Sequence, residues 1–553
     1  MRDEGGGWFA TDAAAEHGDD YGFSLDGGEP LPDPRSPWQP SGPHKPSRFV
    51  DHDRFSWSDE HWRGSPLASA VIYELHVGTF TEEGTFTAAI ERLAHLADLG
   101  ITAVELMPVA EFSGDHGWGY DGVDLFAPHH AYGGPDGLKR LVDACHAHGL
   151  AVIMDVVYNH LGPSGNYLDR FGPYFTDKYA TPWGRAINFD GPGSAGVRAF
   201  LIENALMWLD DYHFDGLRID AIHAILDTSA THILEELAEN VERLQNHLGR
   251  DLFLIAESDL NDPRVIQRRE AGGYGIDAQW SDDFHHSLHT VLTGETNGYY
   301  SDFGSLGHLA LALEEAFVYA GRYSPYRDRV HGRKPEGISG ARFLAYIQNH
   351  DQVGNRATGD RLSALVGPEL LKVAAALVLT GPFVPMIFQG EEWGATTPFL
   401  YFTSHPDGDL GRAVSEGRKR EFESFGWDPA SIPDPQDAQT FLRSKLNWDE
   451  AGHPPHSELR DWYRDLIALR KRTPELSDGD LASVVTFHDE TQKTLVMQRG
   501  AITVACNFSN SPAEIPAERG DRTELLMTSG EKPEWTDNAL VLAPTSVTIH
   551  QNR

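Results

Sequence analysis

The sequence contains only two cysteines, Cys145 and Cys506, among its 553 residues. They lie in distant segments and do not support a disulfide framework, so reduced thiols in a cytoplasmic protein fit better. Long apolar runs are also missing. None reaches the roughly 18 residues of a membrane span, so we expect no membrane partner. The N-terminal stretch MRDEGGGWFATD has no apolar core, and we therefore expect no signal peptide.

Basic residues are scarce relative to acidic ones. The chain has 45 Lys and Arg against 83 Asp and Glu, a formal net charge of −38. Such a surface repels phosphate backbones and anionic membranes, which argues against nucleic acid as a partner. Solubility is the simplest interpretation of the excess charge.

From Val71 onward, short apolar runs alternate with amphipathic stretches. The chain is too long for one ordinary core, and two to four domains are expected. Strict alternation of strand and helix predicts a parallel sheet, and eight units predict a (β/α)₈ TIM barrel of the α/β class. The eight strand candidates lie at 71–80, 102–109, 151–160, the first half of 216–227, 253–259, 277–284, 341–352 and 383–394.

The pattern divides the chain into three parts. Residues 1–68 are rich in Gly, Pro and Asp and predict a short extended or β segment with a linker. Residues 69–475 hold the barrel, with an insertion subdomain at 161–196 after the third strand and a second insertion after the eighth. Residues 476–553 lose the helical period and predict a small antiparallel β domain.

Polar residues gather where five of the strand candidates end. In a barrel of this kind, functional groups collect at the carboxyl ends of the strands, so these side chains are expected around one mouth. They are Asp155, Asn159 and His160 after the third strand; Arg218, Asp220 and His223 in the fourth; Glu257 after the fifth; Asp282 and Asp283 after the sixth; and Asn349, His350 and Asp351 after the seventh.

The fourth strand, in GLRIDAIHAILD, carries two charges inside an apolar run. Strand alternation puts Leu217 and Ile219 on one face and Arg218 and Asp220 on the other. The apolar pair can face the helices, while the charged pair points into the top of the barrel. A neighbouring arginine can keep a buried carboxylate ionised, which makes Asp220 a candidate nucleophile.

Glu257 follows the next strand candidate, a spacing that suits two carboxyl groups about 5 Å apart, as in a retaining glycosidase. One carboxylate would attack the anomeric carbon, and Glu257, its pKa raised by nearby anions, would protonate the leaving oxygen. Asp351 could hold sugar hydroxyls and favour the oxocarbenium-like transition state.

Several alternatives stay open at this point. A single Asp at a strand end is more often a cap or an ion pair, but three carboxylates with two histidines and an arginine favour function. Asp155 with Asn159 could bind a metal, although a hydrogen-bonding role is favoured and no metal is predicted. Trp118 and Tyr120 could be core residues, but their glycine-rich setting favours stacking on sugar.

Four motifs, DVVYNH, GLRIDAIH, LIAES and YIQNHD, resemble the signature regions of the α-amylase family of glycoside hydrolases, in order and on the expected strands. The resemblance covers about residues 69–475. It implies that Asp220 is the nucleophile, Glu257 the acid/base and Asp351 the transition-state stabiliser, and that no cofactor is needed. It further implies that Arg218 orients the nucleophile, that His160 and His350 bind hydroxyls of the cleaved glucose, and that Tyr120 stacks under it.

Other stretches, including VIYELHVGTFTEEGTF, QWSDDFHHSLHTVLTGETNGYY and QNHDQVGNR, resemble one branch of that family. This branch hydrolyses the α-1,4 bond next to the terminal trehalose of malto-oligosyltrehalose, a substrate made by a malto-oligosyltrehalose synthase. The resemblance therefore implies that trehalose occupies the leaving-group subsites. The expected substrate-binding residues there are Ala221, Ile222, His223, Asp282, Asp283, His285, Gln352, Asn355 and Arg356.

Two competing functions remain at this stage. One is a glycogen branching enzyme or amylopullulanase-like relative with the same three carboxylates; the other is an inactive barrel that only binds glucan or a partner protein. The chain also departs from the branch at its start. Relatives carry a complete N-terminal β-sandwich, whereas about 67 residues precede the barrel here, so we expect a naturally short chain or a misassigned start.

Overall fold

The computed structural model describes residues 1–5, 8–423, 431–517 and 523–552. Its centre is a closed barrel of eight parallel strands, in which each strand pairs with its sequence neighbours and the last pairs with the first. The fold class predicted from the sequence is confirmed. The barrel strands are β1 (Ile72–Leu75), β2 (Ala103–Leu106), β3 (Ala151–Val156), β4 (Gly216–Ile219), β5 (Phe253–Ala256), β6 (Ala278–Trp280), β7 (Phe343–Ala345) and β8 (Val384–Phe388).

Helices surround the barrel. Leu217 and Ile219 of β4 belong to the large apolar cluster shared with these helices, while Ile153, Ile255 and Trp280 belong to a separate cluster inside the barrel. Strand alternation produces these two layers. The helices are α1 (Val77–Phe80), α2 (Phe86–Ile90), α3 (Leu93–Leu99), α4 (Gly134–Ala147), α5 (Ser194–Asp210), α6 (Ile233–Leu248), α7 (Asp282–Thr293), α8 (Leu306–Glu315), α9 (His350–Gly354), α10 (Leu362–Leu365), α11 (Pro368–Thr380), α12 (Gly408–Glu423), α13 (Ala438–Leu442) and α14 (His456–Arg472).

All eight barrel strands are shorter than the predicted runs, and three of those runs continue into a helix. The run 71–80 becomes helix α1 at Val77, the run 277–284 becomes α7 at Asp282, and the run 341–352 becomes α9 at His350. Residues just past each strand are still buried, so hydropathy does not mark where the strand stops. The acidic side chains thought to end the sixth and seventh strands therefore lie in first helical turns, where the helix dipole favours negative charge.

In the part of the chain that the structure describes, five two-stranded antiparallel pairs lie outside the barrel sheet. One of them falls in the region 161–196 that was predicted to be an insertion after β3. The pairs are Arg2–Gly5 with Trp8–Ala10, Asp20–Tyr21 with Ser47–Arg48, Ala110–Glu111 with Asp124–Pro128, Phe175–Thr181 with Gly184–Ile187, and Arg322–Ser324 with Arg329–His331.

The C-terminal part forms two antiparallel sheets, of five and three strands. Leu495, Met497 and Ile549 belong to the apolar cluster of the barrel helices, so one face of the larger sheet is buried against the barrel. The smaller sheet contributes Ile515 and Leu540 to a separate apolar cluster with the opposite face. The strands are β9 (Val484–Asp489), β10 (Thr494–Arg499), β11 (Ile502–Asn507), β12 (Ala513–Pro516), β13 (Thr523–Thr528), β14 (Glu534–Trp535), β15 (Ala539–Leu542) and β16 (Ser546–Asn552).

Among the described residues, we find no helix with both the length and the apolar character needed to cross a membrane.

Candidate active site

Arg218 lies at the centre of a group of carboxylates at the carboxyl end of the barrel. It pairs in register with Asp155 on β3, and its Nη1 atom donates to both oxygens of Asp155 at 2.8 Å. The same atom donates to Asp220 Oδ1 at 2.9 Å, and Nη2 lies 2.9 Å from Glu257 Oε2. Arg218 is fully buried. One guanidinium therefore holds three carboxylates from consecutive strands.

The chain turns sharply after Asp220. Ala221 has a φ of 39°, in the left-handed region that costs energy for a residue with a Cβ atom. Its N–H group donates to Glu257 Oε2 at 2.7 Å, and the N–H of Ile222 donates to the backbone oxygen of Glu257 at 3.1 Å. The turn thus ties Asp220 to Glu257. Ala221 and Ile222 were predicted to contact substrate, but their backbone N–H groups donate to Glu257.

A chain of hydrogen bonds runs from β1 to β4 through the floor of the site. Glu74 accepts from the backbone N–H of His350 at 2.9 Å and lies 2.5 Å from its Nδ1. His350 Nε2 lies 2.7 Å from the Tyr120 hydroxyl, which donates to Asp155 Oδ2 at 2.6 Å. Asp155 in turn accepts from Arg218. Tyr120 also stacks on the His350 ring, with centroids 5.2 Å apart.

Burial dominates the electrostatics of the paired carboxyls. It raises the pKa of both Asp220 and Glu257, while Arg218 opposes the rise in each. The charge of Asp220 raises the pKa of Glu257 further, as a general acid requires. The ion pair required by the hypothesis that Arg218 keeps Asp220 ionised is present. Burial, however, affects the pKa of Asp220 more than Arg218 does.

His350 behaves differently from these acids. Burial alone would lower its pKa, but Glu74 and Asp351 raise it to about 9. The imidazole is therefore a cation at neutral pH. With Arg218 it supplies a second positive charge among the buried acids, which makes the mouth of the barrel a mixed-charge site rather than a purely anionic one.

Asp351 is the most exposed of the three predicted catalytic carboxylates, with 37% of its side chain accessible. Asn355 Nδ2 donates to Asp351 Oδ1 at 3.2 Å. Arg418, on helix α12 in the insertion after β8, donates from Nη1 to Asn355 Oδ1 at 3.0 Å and also contacts the Gly354 carbonyl through Nη2. The insertion therefore holds the short helix α9, which carries Asp351.

His160 is buried beside Tyr120. Its Nδ1 lies 3.0 Å from Asn159 Oδ1 and its Nε2 lies 3.0 Å from the Tyr120 carbonyl. The indole of Trp183 stacks on the imidazole, with ring centroids 4.9 Å apart and planes 12° apart. Trp183 is 47% exposed, so the insertion after β3 brings an exposed aromatic face to this part of the site.

The residues predicted at the end of the sixth strand, Asp282, Asp283 and His285, lie in helix α7 and each has a protein partner. Asp282 Oδ1 accepts from the Tyr346 hydroxyl at 2.5 Å, and burial raises its pKa to about 7. Asp283 Oδ2 accepts from the N–H groups of Val318 and Tyr319 at 2.8 and 2.9 Å, so this carboxylate holds a protein loop. His285 is almost fully buried, and its Nε2 lies 3.1 Å from the Tyr300 hydroxyl. These partners argue against contact of Asp283 with sugar.

The remaining predicted residues also have protein partners. Arg356 forms a bidentate pair with Glu295, at 2.8 and 2.9 Å. The backbone N–H of Gln352 donates to Asn349 Oδ1 at 2.8 Å. His223 keeps 33% of its side chain exposed, with Nδ1 4.0 Å from Asp259 Oδ1. Their contacts with substrate remain predictions.

Glu74, Trp183 and Arg418 were not identified from the sequence. Glu74 interrupts the apolar run VIYELHV, the same signal that drew attention to Arg218, so it could have been found. Trp183 and Arg418 lie in the two insertions, where no period shows which side chains turn toward the barrel. Trp118, for which sugar stacking was favoured, is a core residue that is 5% exposed.

In the described part of the chain, one group of side chains has three possible metal-ligand atoms within 4.8 Å of one another: Glu111, His129 and His130. The protein already uses these atoms. Glu111 Oε1 lies 2.8 Å from His130 Nδ1, and the His129 ring contacts the Gly114 carbonyl and the Ala131 N–H. This network crosslinks loops outside the catalytic group.

Comparison with known proteins finds relatives that match nearly the whole chain. The model of the alpha amylase catalytic domain matches residues 45–180, and a domain of unknown function, DUF3459, matches residues 479–549. The malto-oligosyltrehalose trehalohydrolase of a Rhizobium species is 51% identical over 98% of this chain and 91% of its own. The protein of the same name from Mycobacterium tuberculosis is 51% identical over 98% and 94%.

More distant relatives follow. A 1,4-alpha-glucan branching enzyme from Pseudoalteromonas atlantica is 30% identical over 96% of this chain and 71% of its own. Among solved structures, a putative alpha amylase from Salmonella typhimurium superposes with a TM-score of 0.90 at 40% identity, over 98% of this chain and 91% of its own.

The barrel, the carboxylates around Arg218 and these matches define a glycoside hydrolase of the α-amylase family. Within that class, the two malto-oligosyltrehalose trehalohydrolases are 51% identical to this chain over 98% of its length, whereas the branching enzyme is 30% identical. The chain belongs to the malto-oligosyltrehalose trehalohydrolase family.

Proposed function

We propose that this enzyme hydrolyses the α-1,4-glucosidic bond next to the terminal trehalose of malto-oligosyltrehalose, releasing trehalose and a malto-oligosaccharide. The relatives that are 51% identical over nearly the whole chain support this substrate through their names. The observation that carries the chemistry is the shared guanidinium of Arg218, 2.9 Å from both Asp220 and Glu257.

In the first step Asp220 attacks the anomeric carbon of the glucose joined to trehalose. Glu257 gives its proton to the glycosidic oxygen, the C–O bond breaks, and trehalose leaves as an alcohol. In the second step water attacks the anomeric carbon of the glycosyl–Asp220 ester while Glu257 takes the water proton; the bond from that carbon to the Asp220 oxygen breaks, which frees the malto-oligosaccharide and restores the Asp220 carboxylate. Both carboxylates contact one guanidinium, and the proposal requires them to lie about 5 Å apart, the separation of a double displacement with retention.

Other polar groups have supporting roles in this proposal. Asp351 binds hydroxyls of the glucose being cleaved and stabilises positive charge in the transition state. Tyr120 and Trp183 present aromatic faces to sugar C–H groups. The cationic His350 donates to the Tyr120 hydroxyl and fixes its orientation, and Arg218 orients Asp220 for attack.

Product analysis tests the proposal. The protein is incubated with maltohexaosyl-trehalose, and the products are separated by chromatography. We expect free trehalose and maltohexaose, with the new reducing end in the α configuration by proton NMR at early times. A product set of branched or rearranged glucans without free trehalose would instead support the branching-enzyme alternative.

Three further predictions accompany this proposal. A malto-oligosyltrehalose synthase would supply the substrate, because only such a reaction creates the trehalose end on a glucan chain. A cytoplasmic location fits the two buried free cysteines. The division at residues 68 and 475 is proposed as the domain organisation, and limited proteolysis would test it.

A further inference from the structure

The C-terminal part contains a cavity of about 480 Å³ between its two sheets. This volume is within the roughly 300–1,000 Å³ that is usual for small-molecule sites. Residues of β10, β11 and β16 form one wall, and residues of β12, β14 and β15 form the other. None of the residues discussed above for the catalytic site contributes to it.

The wall from the larger sheet is more polar than a sandwich interior should be. Along β10, Leu495 and Met497 face the barrel helices, so Thr494, Val496 and Gln498 face the cavity. The facing sides of two packed sheets are normally apolar. Here the polar side chains suggest contact with something other than the opposite sheet.

The polar side chains of this wall include a row of three residues across adjacent strands: Gln498, Thr503 and His550. Gln498 pairs in register with Thr503, and Thr503 pairs with His550. Residues paired in this way have Cβ atoms about 5 Å apart. The row runs from exposed Gln498 through half-buried Thr503 to His550, which is 2% exposed.

His550 and an aromatic residue form the closed end of the row. Burial lowers the pKa of His550 to about 4, so the ring is neutral at pH 7. Its Nε2 lies 3.0 Å from Thr548 Oγ1, while Nδ1 is buried and has no hydrogen-bond partner in the described residues. The ring of Trp535, from the smaller sheet, lies 5.7 Å away at 76°.

The lining excludes several classes of ligand. Among its described residues the lining contains no Lys or Arg, so none of them balances a phosphate or a carboxylate. The one carboxylate among the described lining residues, Asp489, already accepts from the N–H groups of Thr491 and Gln492. An entirely apolar ligand would leave the buried Nδ1 atom of His550 without a partner. A neutral ring molecule that offers hydroxyls along its edge and C–H groups on its face satisfies both kinds of lining.

We propose that this cavity binds a short stretch of α-1,4-glucan, at a site separate from the catalytic cleft. The choice of glucan among neutral saccharides rests on the proposed function, because the substrate itself carries such a chain. Trp535 would stack on one glucose, and the row Gln498–Thr503–His550 would hydrogen-bond its hydroxyls. A long substrate would thus be held at two points.

Isothermal titration calorimetry with maltohexaose tests the proposal, using the full chain with Asp220→Ala to prevent turnover. We expect two binding sites per chain. Adding Trp535→Ala should remove one site or weaken it at least tenfold, whereas adding Phe9→Ala, which removes an exposed aromatic residue (57% exposed) outside the lining of this cavity, should change nothing. Unchanged binding in the Trp535→Ala protein would overturn the proposal.

Two controls guard against other causes of lost binding. Thr503→Val keeps the side-chain shape and removes the hydroxyl in the middle of the row, so it should weaken the second site in a protein with an unchanged thermal unfolding midpoint. Trp535→Ala in the otherwise native chain should hydrolyse maltotriosyl-trehalose with unchanged kcat. Absence of trehalose from the native chain would reject the proposed function while leaving the titration result valid.

Discussion

Arg218 Nη1 lies 2.9 Å from Asp220 Oδ1, and its Nη2 lies 2.9 Å from Glu257 Oε2. A single planar cation therefore sets the positions of the two carboxylates to which the chemistry is assigned. Lysine cannot reproduce this arrangement, because an ammonium group lacks the fixed fork of a guanidinium.

Asp220→Ala should abolish hydrolysis of malto-oligosyltrehalose while oligosaccharide binding persists. Loss of a nucleophile in a hydrolase costs roughly 10⁴-fold or more in kcat. Steady-state kinetics and calorimetry measure the two effects. Asp169→Ala, at a carboxylate with 56% of its side chain exposed, is the control. Near-normal turnover in the Asp220→Ala protein would mean that another residue is the nucleophile.

Glu257→Gln should reduce kcat by about 10²–10⁴-fold, the usual contribution of a general acid. Because the pKa of Glu257 is raised, the native enzyme should lose activity as pH rises through that pKa and the acid loses its proton. The pH profile of the variant should lack this alkaline fall. A variant profile with the same alkaline limb would assign the acid role to another group.

Arg218→Lys should lower kcat by more than about 100-fold, with a smaller change in KM. Lysine restores the charge but cannot contact Asp155, Asp220 and Glu257 together. The comparison of kcat with KM separates misplaced catalytic groups from lost substrate binding. If the variant were fully active, charge alone would account for the role of Arg218.

Arg418→Ala should lower kcat by about 10- to 100-fold through movement of helix α9, which carries Asp351. Arg418 holds Asn355, and Asn355 holds Asp351. Arg420→Ala is the matched control, since Arg420 lies on the same helix with 66% of its side chain exposed. Equal effects of the two substitutions would show that helix α12 as a whole, rather than this contact, matters.

The ion pair between Glu74 and His350 should make stability depend on pH. The folded-state pKa of His350 is about 9, above the roughly 6.5 of an unfolded histidine. Its contribution is therefore complete below about pH 6.5 and is lost as pH rises through about 9. Denaturant unfolding of the native chain and of the double variant Glu74→Gln/His350→Gln between pH 6 and 10 measures it. The native chain should lose more stability over this range than the variant.

The sequence by itself determined the order of the elements and the residue types at the mouth of the barrel. Strand alternation was enough to separate Arg218 and Asp220 from Leu217 and Ile219, because successive side chains in a strand always face opposite sides. The motifs of the fourth, fifth and seventh strands also grouped Asp220, Glu257 and Asp351 at one end of the barrel.

Only the tertiary structure decided which atoms meet. The sequence did not indicate that Asp283 would turn into a protein loop, or that Arg418 and Trp183 would reach the site from insertions with no regular period. It also did not reveal the polar row inside the C-terminal sheets. Contacts between residues far apart in the chain depend on loop paths and packing, which local periodicity does not encode. Local pattern sets the barrel, and packing between distant segments sets the site.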